Sequence, residues 1–268
     1  MSSPIAVFGS INMDLVIYSN HKPHEGETIF GNSFETFQGG KGANQAVAAS
    51  RLGSDVSFIG KVGNDVFGKQ LQENLISESI NVEMLDSYDG ESGVAFINVF
   101  EDIVENQIIV VSGANAFVES QQVSKETLNQ IDILLSQLEV PPSQIEDLFI
   151  RAKGSCFRIL NTAPAVTISE ELIKNTDLLV MNETELETLS GETLESQNID
   201  SIISAIKGLS LKNRQSIIIT LGSKGVYVYQ DQKGELIKGH DVDAIDTTGS
   251  GDCFIGALAS NYLETENL

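Results

Sequence analysis

A glycine-rich turn that precedes an aspartate and an apolar run carries the strongest chemical signal in this sequence. Residues 246–252 read Asp-Thr-Thr-Gly-Ser-Gly-Asp, and helix-forming residues follow as far as about Leu258. Glycines let a backbone approach a ligand closely, and the first N–H groups of a helix bind anions such as phosphate. Asp252 lies at the start of that helix, where its carboxylate can accept a proton from a hydroxyl group. An anion site beside a base suggests phosphoryl transfer to an alcohol.

The structural alternative is a glycine turn capped by an aspartate, which is common in α/β proteins. On these residues alone, neither interpretation is preferred. The run, however, closely resembles the C-terminal signature of the ribokinase-like (PfkB) family of sugar and nucleoside kinases. That resemblance implies that Asp252 is the catalytic base and that Gly249, Ser250 and Gly251 hold the transferring phosphate. Ser250 occupies the usual position of an alanine, and this small-for-small change should keep the turn intact.

A second glycine-rich segment, residues 38–53, leads into an alanine-rich helix. Its glycines bring the backbone close to a ligand, and the Asn44 amide offers a polyol both a donor and an acceptor. A capped helix would explain the alanines, but it would not explain Lys41 and Asn44 within the turn. The segment resembles the first signature of the same family, which implies that Gly40 and Asn44 hold the sugar. Lys41 either steadies phosphate or is simply solvated, and we expect it at the edge of the site.

Three more side chains are predicted on the sugar side. Residues 5–9 form a short apolar run typical of a buried parallel strand, and Asn12 and Asp14 follow it, where ligands bind in open α/β sheets. A lone aspartate after a strand is more often a turn residue. Residues 9–14 nevertheless resemble the family's N-terminal segment, which implies that Asn12 and Asp14 contact the sugar. Glu139, at a predicted strand end, matches a family glutamate near the sugar or a metal-bound water.

Asn182 and Glu185 are expected on the nucleotide side. Residues 178–185 predict a buried strand followed directly by a helix, with these two side chains three positions apart. The residues by themselves favour a helix cap for this pair. They also match the family's Asn-x-x-Glu motif, which implies that Asn182 contacts the nucleotide and that Glu185 orients a hydrated Mg²⁺. We therefore expect the metal role.

The remaining nucleotide and cation contacts are implied by the resemblance alone. A β-branched strand and a glycine turn occupy residues 216–225, and Thr220, Gly222 and Lys224 match positions beside the nucleotide. Asp246 and Thr248 match the first half of the family's potassium site. The expected ligands next to the sugar are thus ATP, Mg²⁺ and K⁺.

Composition excludes several other classes of protein. The 268 residues carry 38 Asp and Glu against 16 Lys and Arg, a net charge of −22 that disfavours nucleic acid and anionic membrane as partners. Cys156 and Cys253 lie far apart, which disfavours a disulfide scaffold or a zinc site. No signal peptide, Walker P-loop or dinucleotide-binding glycine motif occurs in the sequence. We expect a cytoplasmic protein, with the nucleus as a second location.

The expected fold is a single α/β domain over residues 1–268, a three-layer α/β/α sandwich with a mostly parallel central sheet. Segments at about 15–37 and 94–111 show interrupted alternation and are interpreted as antiparallel strands. The resemblance implies that these strands form a small β-sheet lid over the sugar site. It also implies that the lid pairs with a second subunit, so a homodimer is expected.

The activity implied by the resemblance is ATP-dependent phosphorylation of D-ribose to ribose 5-phosphate. The alternatives are another sugar or nucleoside acceptor within the family, and a form that binds sugar without turnover. The chain stops soon after the helix that contains Asp252, whereas family members usually continue further. We expect the lack of that segment to weaken nucleotide binding and activity.

Overall fold

The computed structural model describes residues 4–100, 102, 105–195, 198–212, 215–244 and 246–265. Within these ranges the strands form one nine-stranded and one four-stranded sheet. The strands are β1 Ile5–Phe8, β2 Asn12–Ser19, β3 Ser33–Gly39, β4 Val56–Gly63, β5 Asn81–Tyr88, β6 Gly93–Phe100, β7 Glu105–Val111, β8 Ile133–Gln137, β9 Phe157–Asn161, β10 Leu178–Asn182, β11 Ser216–Thr220, β12 Gly225–Gln230 and β13 Lys233–Lys238. The helices are α1 Lys41–Arg51, α2 Val66–Ser77, α3 Lys125–Leu128, α4 Pro142–Arg151, α5 Glu170–Lys174, α6 Glu183–Ser190, α7 Ile199–Gly208 and α8 Ser250–Thr265.

The large sheet is mostly parallel, as predicted. Its strand order is β13-β12-β11-β10-β9-β8-β1-β4-β5, and only the β11–β12 and β12–β13 pairs are antiparallel. From β1 the chain builds outward through β4 and β5, and it then returns to β8 on the other side of β1. The strand order therefore reverses between β1 and β8, and in open α/β sheets ligands bind at the carboxyl ends of such strands.

Helices cover both faces of this sheet, which confirms the three-layer sandwich. Alternate residues of each central strand point to opposite faces. Ile5 and Val7 pack in a buried cluster with apolar residues of α1, α2 and α8. Ala6 and Phe8 pack in a second cluster with residues of α4, α5, α6 and α7. Burial on both faces explains why the central strands appear in the sequence as continuous apolar runs.

The small sheet has the order β3-β2-β6-β7, and it contains the segments predicted to form a lid. Its outer pairs, β3–β2 and β6–β7, are antiparallel, but the central pair β2–β6 is parallel. The expectation of an all-antiparallel arrangement was therefore wrong for that pair. Both strands start at the edge of the large sheet, where Asn12 lies opposite Gly93, and both run outward. A long connection through β3, α1, β4, α2 and β5 joins them, and a connection of that kind permits parallel pairing.

Candidate active site

A cavity of about 160 Å³ opens at the carboxyl ends of β9, β10 and β11. It brings together many of the residues singled out from the sequence: Lys41, Asn182, Glu185, Thr220, Gly249, Ser250, Gly251 and Asp252. Asn161, Ala163, Val180, Met181, Thr247 and Ile255 complete its lining. A larger cavity, of about 370 Å³, lies between α7 and the β12–β13 turn and contains none of the predicted residues. The chemistry therefore converges on the smaller cavity.

The turn before α8 presents backbone N–H groups to this cavity. Gly249 has a φ of 71°, a left-handed conformation that glycine adopts without strain. The Ser250 N–H donates to the Thr247 carbonyl at 3.1 Å, and the Cys253 N–H donates to the Gly249 carbonyl at 2.8 Å. Among the described residues, the N–H groups of Gly251 and Asp252 between them have no acceptor. Two such groups at a helix N-terminus form a site suited to an anion.

The Asp252 carboxylate is held between two side-chain amides. Its Oδ1 accepts a hydrogen bond from Gln45 Nε2 at 2.9 Å, and its Oδ2 accepts one from Asn44 Nδ2 at 3.1 Å. Burial raises the pKa of Asp252 above its ordinary value, while the Gln45 hydrogen bond and the Lys41 charge act in the opposite direction. A carboxylate with a raised pKa accepts protons more strongly, so its position and its environment both suit a general base.

Close packing of α8 on α1 brings these groups together. An added Cβ on Gly256 would lie 2.5 Å from the Gln45 carbonyl oxygen and 2.6 Å from Ala48 Cβ. Both distances are shorter than any ordinary contact, so only glycine permits this approach. Gly256 lies one helical turn after Asp252, and its size therefore sets the distance between Asp252 and α1.

We expect Gly256→Ala to lower the free energy of unfolding by about 1–3 kcal/mol, because the added methyl group overpacks the contact between α1 and α8. The same change should lower turnover by moving Asp252 away from Gln45. Urea unfolding and a kinase assay would measure the two effects. Gly208→Ala is the matched control, because its added Cβ would meet only Glu192 Oε1 at 3.5 Å. Equal stability of the two variants would contradict the packing argument.

Asp14 follows the carboxyl end of β1, as the sequence predicted, and it lies within strand β2 of the small sheet. Burial, with a smaller contribution from the charge of Glu139, raises its pKa to about 6. An added Cβ on Gly39 would lie 2.3 Å from Asp14 Oδ2, so the adjacent strand keeps space for this carboxylate. A partly buried carboxylate of raised pKa is suited to accept hydrogen bonds from hydroxyl groups of a ligand.

Glu139 and Asn12 both stabilise the backbone near the site. Glu139 Oε2 accepts hydrogen bonds from Ser10 Oγ at 2.6 Å and from the Lys41 N–H, the first N–H of α1, at 3.0 Å. The carboxylate thus stabilises the N-terminus of α1. Asn12 is buried, and its Oδ1 accepts from Asn115 Nδ2 at 2.7 Å. These contacts position the Gly40 turn whether or not either side chain also meets a ligand.

Asn182 and Glu185 form the reciprocal helix cap that the residues alone favoured. Asn182 Oδ1 accepts from the Glu185 N–H, and Glu185 Oε2 accepts from the Asn182 N–H, both at 2.9 Å. Burial raises the pKa of Glu185, whereas the hydrogen bond from the Asn182 N–H and the Lys41 charge lower it. No group of three or more metal-binding side chains occurs within the described ranges. Glu185, one of the two carboxylates that line the cavity, fits a hydrated Mg²⁺ held mainly by phosphate oxygens.

Most of the remaining predicted residues lie outside the cavity. Thr220 lines it at the end of β11, but Gly222 and Lys224 lie in the following turn and are not part of its wall. Asp246 is exposed, and its Oδ1 accepts from the Thr248 N–H at 2.8 Å, which lowers the pKa of Asp246. This contact closes the turn before Gly249. Neither Asp246 nor Thr248 lines the cavity.

Comparison with known proteins identifies the family. Residues 2–268 match the family described as pfkB family carbohydrate kinase. The chain belongs to this family. It is 39% identical to a ribokinase of Haemophilus influenzae over 274 residues, which cover 100% of this chain and 88% of that protein. It is 37% identical to a deoxyribokinase of Salmonella typhi over 272 residues, covering 97% of this chain and 86% of that protein.

A solved structure of a pfkB-family relative agrees with the fold. Ribokinase of Arabidopsis thaliana, complexed with ribose and ATP, superposes with a TM-score of 0.87 at 30% identity, over 99% of this chain and 87% of that one. Together with the family match, this similarity establishes a phosphotransferase that acts on a sugar hydroxyl. It also confirms the predicted α/β fold. No helix within the described ranges is long and apolar enough to cross a bilayer.

Three buried amides near Asp252 were not predicted as site residues. Gln45 contacts Asp252 directly, and Gln137 and Asn161 contact Gln45. The sequence did mark these positions, because Gln45 follows Asn44 inside the second glycine motif, and Gln137 and Asn161 are polar residues at the ends of apolar runs. The hydrogen bonds between the three side chains could not be predicted from a local pattern, because the side chains come from three separate elements of the fold.

Proposed function

We propose that this chain is an ATP-dependent kinase that phosphorylates the primary hydroxyl of D-ribose to give ribose 5-phosphate. The observation that carries the proposal is the juxtaposition of the Asp252 carboxylate with the acceptor-free N–H groups of Gly251 and Asp252 beside one cavity. The relative with the highest identity named above is a ribokinase, and the Arabidopsis ribokinase structure contains ribose and ATP.

The proposed chemistry assigns one task to each group of residues. Asp252 accepts the proton of the attacking hydroxyl, and the backbone of Gly249, Ser250 and Gly251 stabilises charge on the transferred phosphoryl group. Asp14, Gly40 and Asn44 bind the sugar hydroxyls, with Asn12, Lys41 and Glu139 supporting the same region. Apart from Glu139, which follows β8, these residues come from β2, α1 and α8 and the segments beside them, so the small sheet and the helix pair must act together.

The nucleotide is proposed to lie along the carboxyl ends of β10 and β11. Asn182, Thr220, Gly222 and Lys224 contact it, and Glu185 orients a hydrated Mg²⁺ that neutralises phosphate charge when it is bound. That neutralisation matters in a chain whose net charge is −22. Asp246 and Thr248 are proposed as part of a K⁺ site, and their turn leads directly into Gly249. A cytoplasmic location, where ATP and K⁺ are abundant, is part of the same proposal.

A second acceptor is favoured by one comparison, because the relative at 37% identity is a deoxyribokinase. The two acceptors differ only in the 2-hydroxyl group. A kcat/KM comparison of D-ribose, 2-deoxy-D-ribose, D-fructose and a nucleoside would discriminate them. We expect D-ribose to give the largest value. A larger kcat/KM for 2-deoxy-D-ribose would identify the deoxy sugar as the substrate in place of D-ribose. A larger kcat/KM for the nucleoside would contradict the assignment of either sugar.

The small sheet supports the proposal of a homodimer. Ile17, Phe34, Phe96 and Ile109 are 37%, 60%, 41% and 61% exposed. Strand register and alternation place these four on one face and Asp14 on the other. Monomers rarely expose an apolar patch of this kind. A second copy of the chain could therefore cover the patch without blocking Asp14.

Ile109→Lys should convert the dimer into a monomer, because it places a charge within the apolar patch, on its edge strand β7. Sedimentation velocity over a range of protein concentrations would measure the change. Ile76→Lys is the matched control, since Ile76 is an apolar residue on α2 with 54% exposure, away from the small sheet. A wild-type protein that sediments as a monomer at every concentration would contradict the dimer.

A further inference from the structure

Asp252 lies at one end of a chain of buried amides. Gln45 and Gln137 have no exposed surface, and Asn161 is only 5% exposed. Gln45 Nε2 donates to Asp252 Oδ1 at 2.9 Å and to Asn161 Oδ1 at 3.1 Å. Gln45 Oε1 in turn accepts from Gln137 Nε2 at 2.6 Å. We refer to Gln137, Gln45 and Asn161 as the amide relay.

We propose that the amide relay fixes the position of the Asp252 carboxylate and that Gln45 is therefore a positioning residue for phosphoryl transfer. The inference rests on the proposed function, because it gives Gln45 a task in the same reaction. Gln45 is not among the residues that line the cavity, so it acts through Asp252 and does not touch a substrate.

The direction of the relay is set by a backbone carbonyl. Asn161 Nδ2 donates to the Val180 carbonyl oxygen at 3.2 Å, and a carbonyl can only accept. The Asn161 side chain must therefore present its oxygen to Gln45. If the Gln45 amide were reversed, its oxygen would face the oxygens of both Asn161 and Asp252. Only one orientation satisfies the network, and in that orientation an N–H group points at the Asp252 carboxylate.

Gln137 is confined on its other side by Gly9. An added Cβ on Gly9 would lie 2.2 Å from Gln137 Oε1. Among the described residues this oxygen is buried without a hydrogen-bond partner, an arrangement that lowers stability. An apolar side chain would avoid that cost. What glutamine provides in return is the N–H group that orients Gln45.

The two amides that hold Asp252 differ in their surroundings. Asn44 is partly exposed, and we propose that it binds sugar, so its hydrogen bond to Asp252 changes when a ligand enters. Gln45 is fully buried and keeps its partners. The Gln45 N–H group is thus the donor that remains in place while Asp252 accepts a proton and releases it.

Methionine substitutions test the relay, because methionine fills similar space without the amide. We expect Gln45→Met to lower kcat by about 10–100-fold, the cost of slight misplacement of a reacting group, and to change the KM for sugar by less than about threefold. Gln137→Met should have a smaller effect on kcat. The double variant should be no slower than Gln45→Met, because both changes interrupt one network.

Gln215→Met is the matched control. Gln215 is also buried, and its Nε2 donates to the carbonyls of Ile173 and Thr176 far from Asp252. We expect it to lower the melting temperature as the relay variants do and to leave kcat unchanged. If kcat survives in Gln45→Met, or falls in Gln215→Met as much as in Gln45→Met, the relay has no positioning role.

A measurement without turnover separates this inference from the proposed function. In protein carrying ¹³C-labelled aspartate carboxyls, the resonance absent from Asp252→Asn identifies Asp252. Lys41, Glu139 and Glu185 are the charged groups that act on Asp252 from neighbouring elements, and all three are unchanged in the relay variants. We expect the Asp252 titration to move to higher pH in Gln45→Met, to a smaller extent in Gln137→Met, and not at all in Gln215→Met. If the Asp252 titration in Gln45→Met is the same as in the wild type, the positioning role of the relay is overturned. If the wild type shows no turnover with sugar and ATP, only the proposed kinase function is contradicted.

Discussion

Asp252→Asn should reduce kcat by about 10²–10⁴-fold, the range for removal of a general base. The change replaces one oxygen by an NH₂ group and keeps the shape of the side chain. Gln45 Nε2 can still donate to the remaining oxygen, and the partly exposed Asn44 can reverse its amide to accept from the new NH₂ group. The loss of rate would therefore report the missing base and not a collapsed site.

Stability provides the check on this interpretation. Burial raises the pKa of Asp252, so ionising it in the folded protein has a cost that the asparagine avoids. We expect a melting temperature no lower than that of the wild type. Asp200→Asn is the control, because Asp200 lies in the first turn of α7 as Asp252 lies in the first turn of α8, but it is exposed and remote from the cavity. A variant at position 252 with more than a tenth of wild-type activity would contradict the assignment of the base.

Asp14→Asn should have the second-largest effect, and it should act on binding. Loss of charged hydrogen bonds to hydroxyl groups, at about 1.5–3 kcal/mol each, predicts a Kd for sugar about 10–100-fold higher. The kcat at saturating sugar should change much less, because Asp14 does not take the proton. Calorimetric titration with D-ribose measures the binding, and Asp86→Asn on the exposed part of β5 is the control.

The same variant has a predicted pH signature. The pKa of Asp14 in the folded protein is about 6, above the ordinary aspartate value of 3.8, so the folded protein binds this proton more tightly than the unfolded chain. The contribution of Asp14 to the stability of the folded protein is most favourable below about pH 4 and is lost as the pH rises through about 6. Asp14→Asn should therefore be more stable than the wild type at pH 7.5, and the difference should vanish near pH 4. If Asp14→Asn and the wild type had equal melting temperatures at each of the two pH values, burial would not disfavour the ionised form of Asp14.

Features set by neighbouring residues could be predicted from the sequence. The turn before Asp252, the turn before α1 and the Asn182–Glu185 pair all depend on contacts within a few positions, and each occupies the predicted end of an element. The apolar strands are equally local, because burial on both faces requires continuous apolar runs. Propensity and spacing suffice for features of this kind.

Contacts between distant elements could not be predicted in the same way. Asn161 lies 116 positions from Gln45, and Glu139 lies 98 positions from the N–H group that it caps. The parallel pairing of β2 with β6 depends on where a long crossover returns to the sheet. A polar residue that ends an apolar run indicates a strand end, but the partners of its side chain depend on which strands become neighbours. That information lies in the topology.

Identification of the product formed from D-ribose would show whether this chain transfers phosphate to the primary hydroxyl group. Wild-type protein would be incubated with D-ribose, ATP, Mg²⁺ and K⁺, and the reaction followed by ³¹P NMR with proton coupling. We expect ADP together with an equal amount of a phosphate monoester on the primary hydroxyl group, whose phosphorus couples to two methylene protons. A phosphate at the anomeric position, or hydrolysis of ATP with no sugar ester, would contradict it.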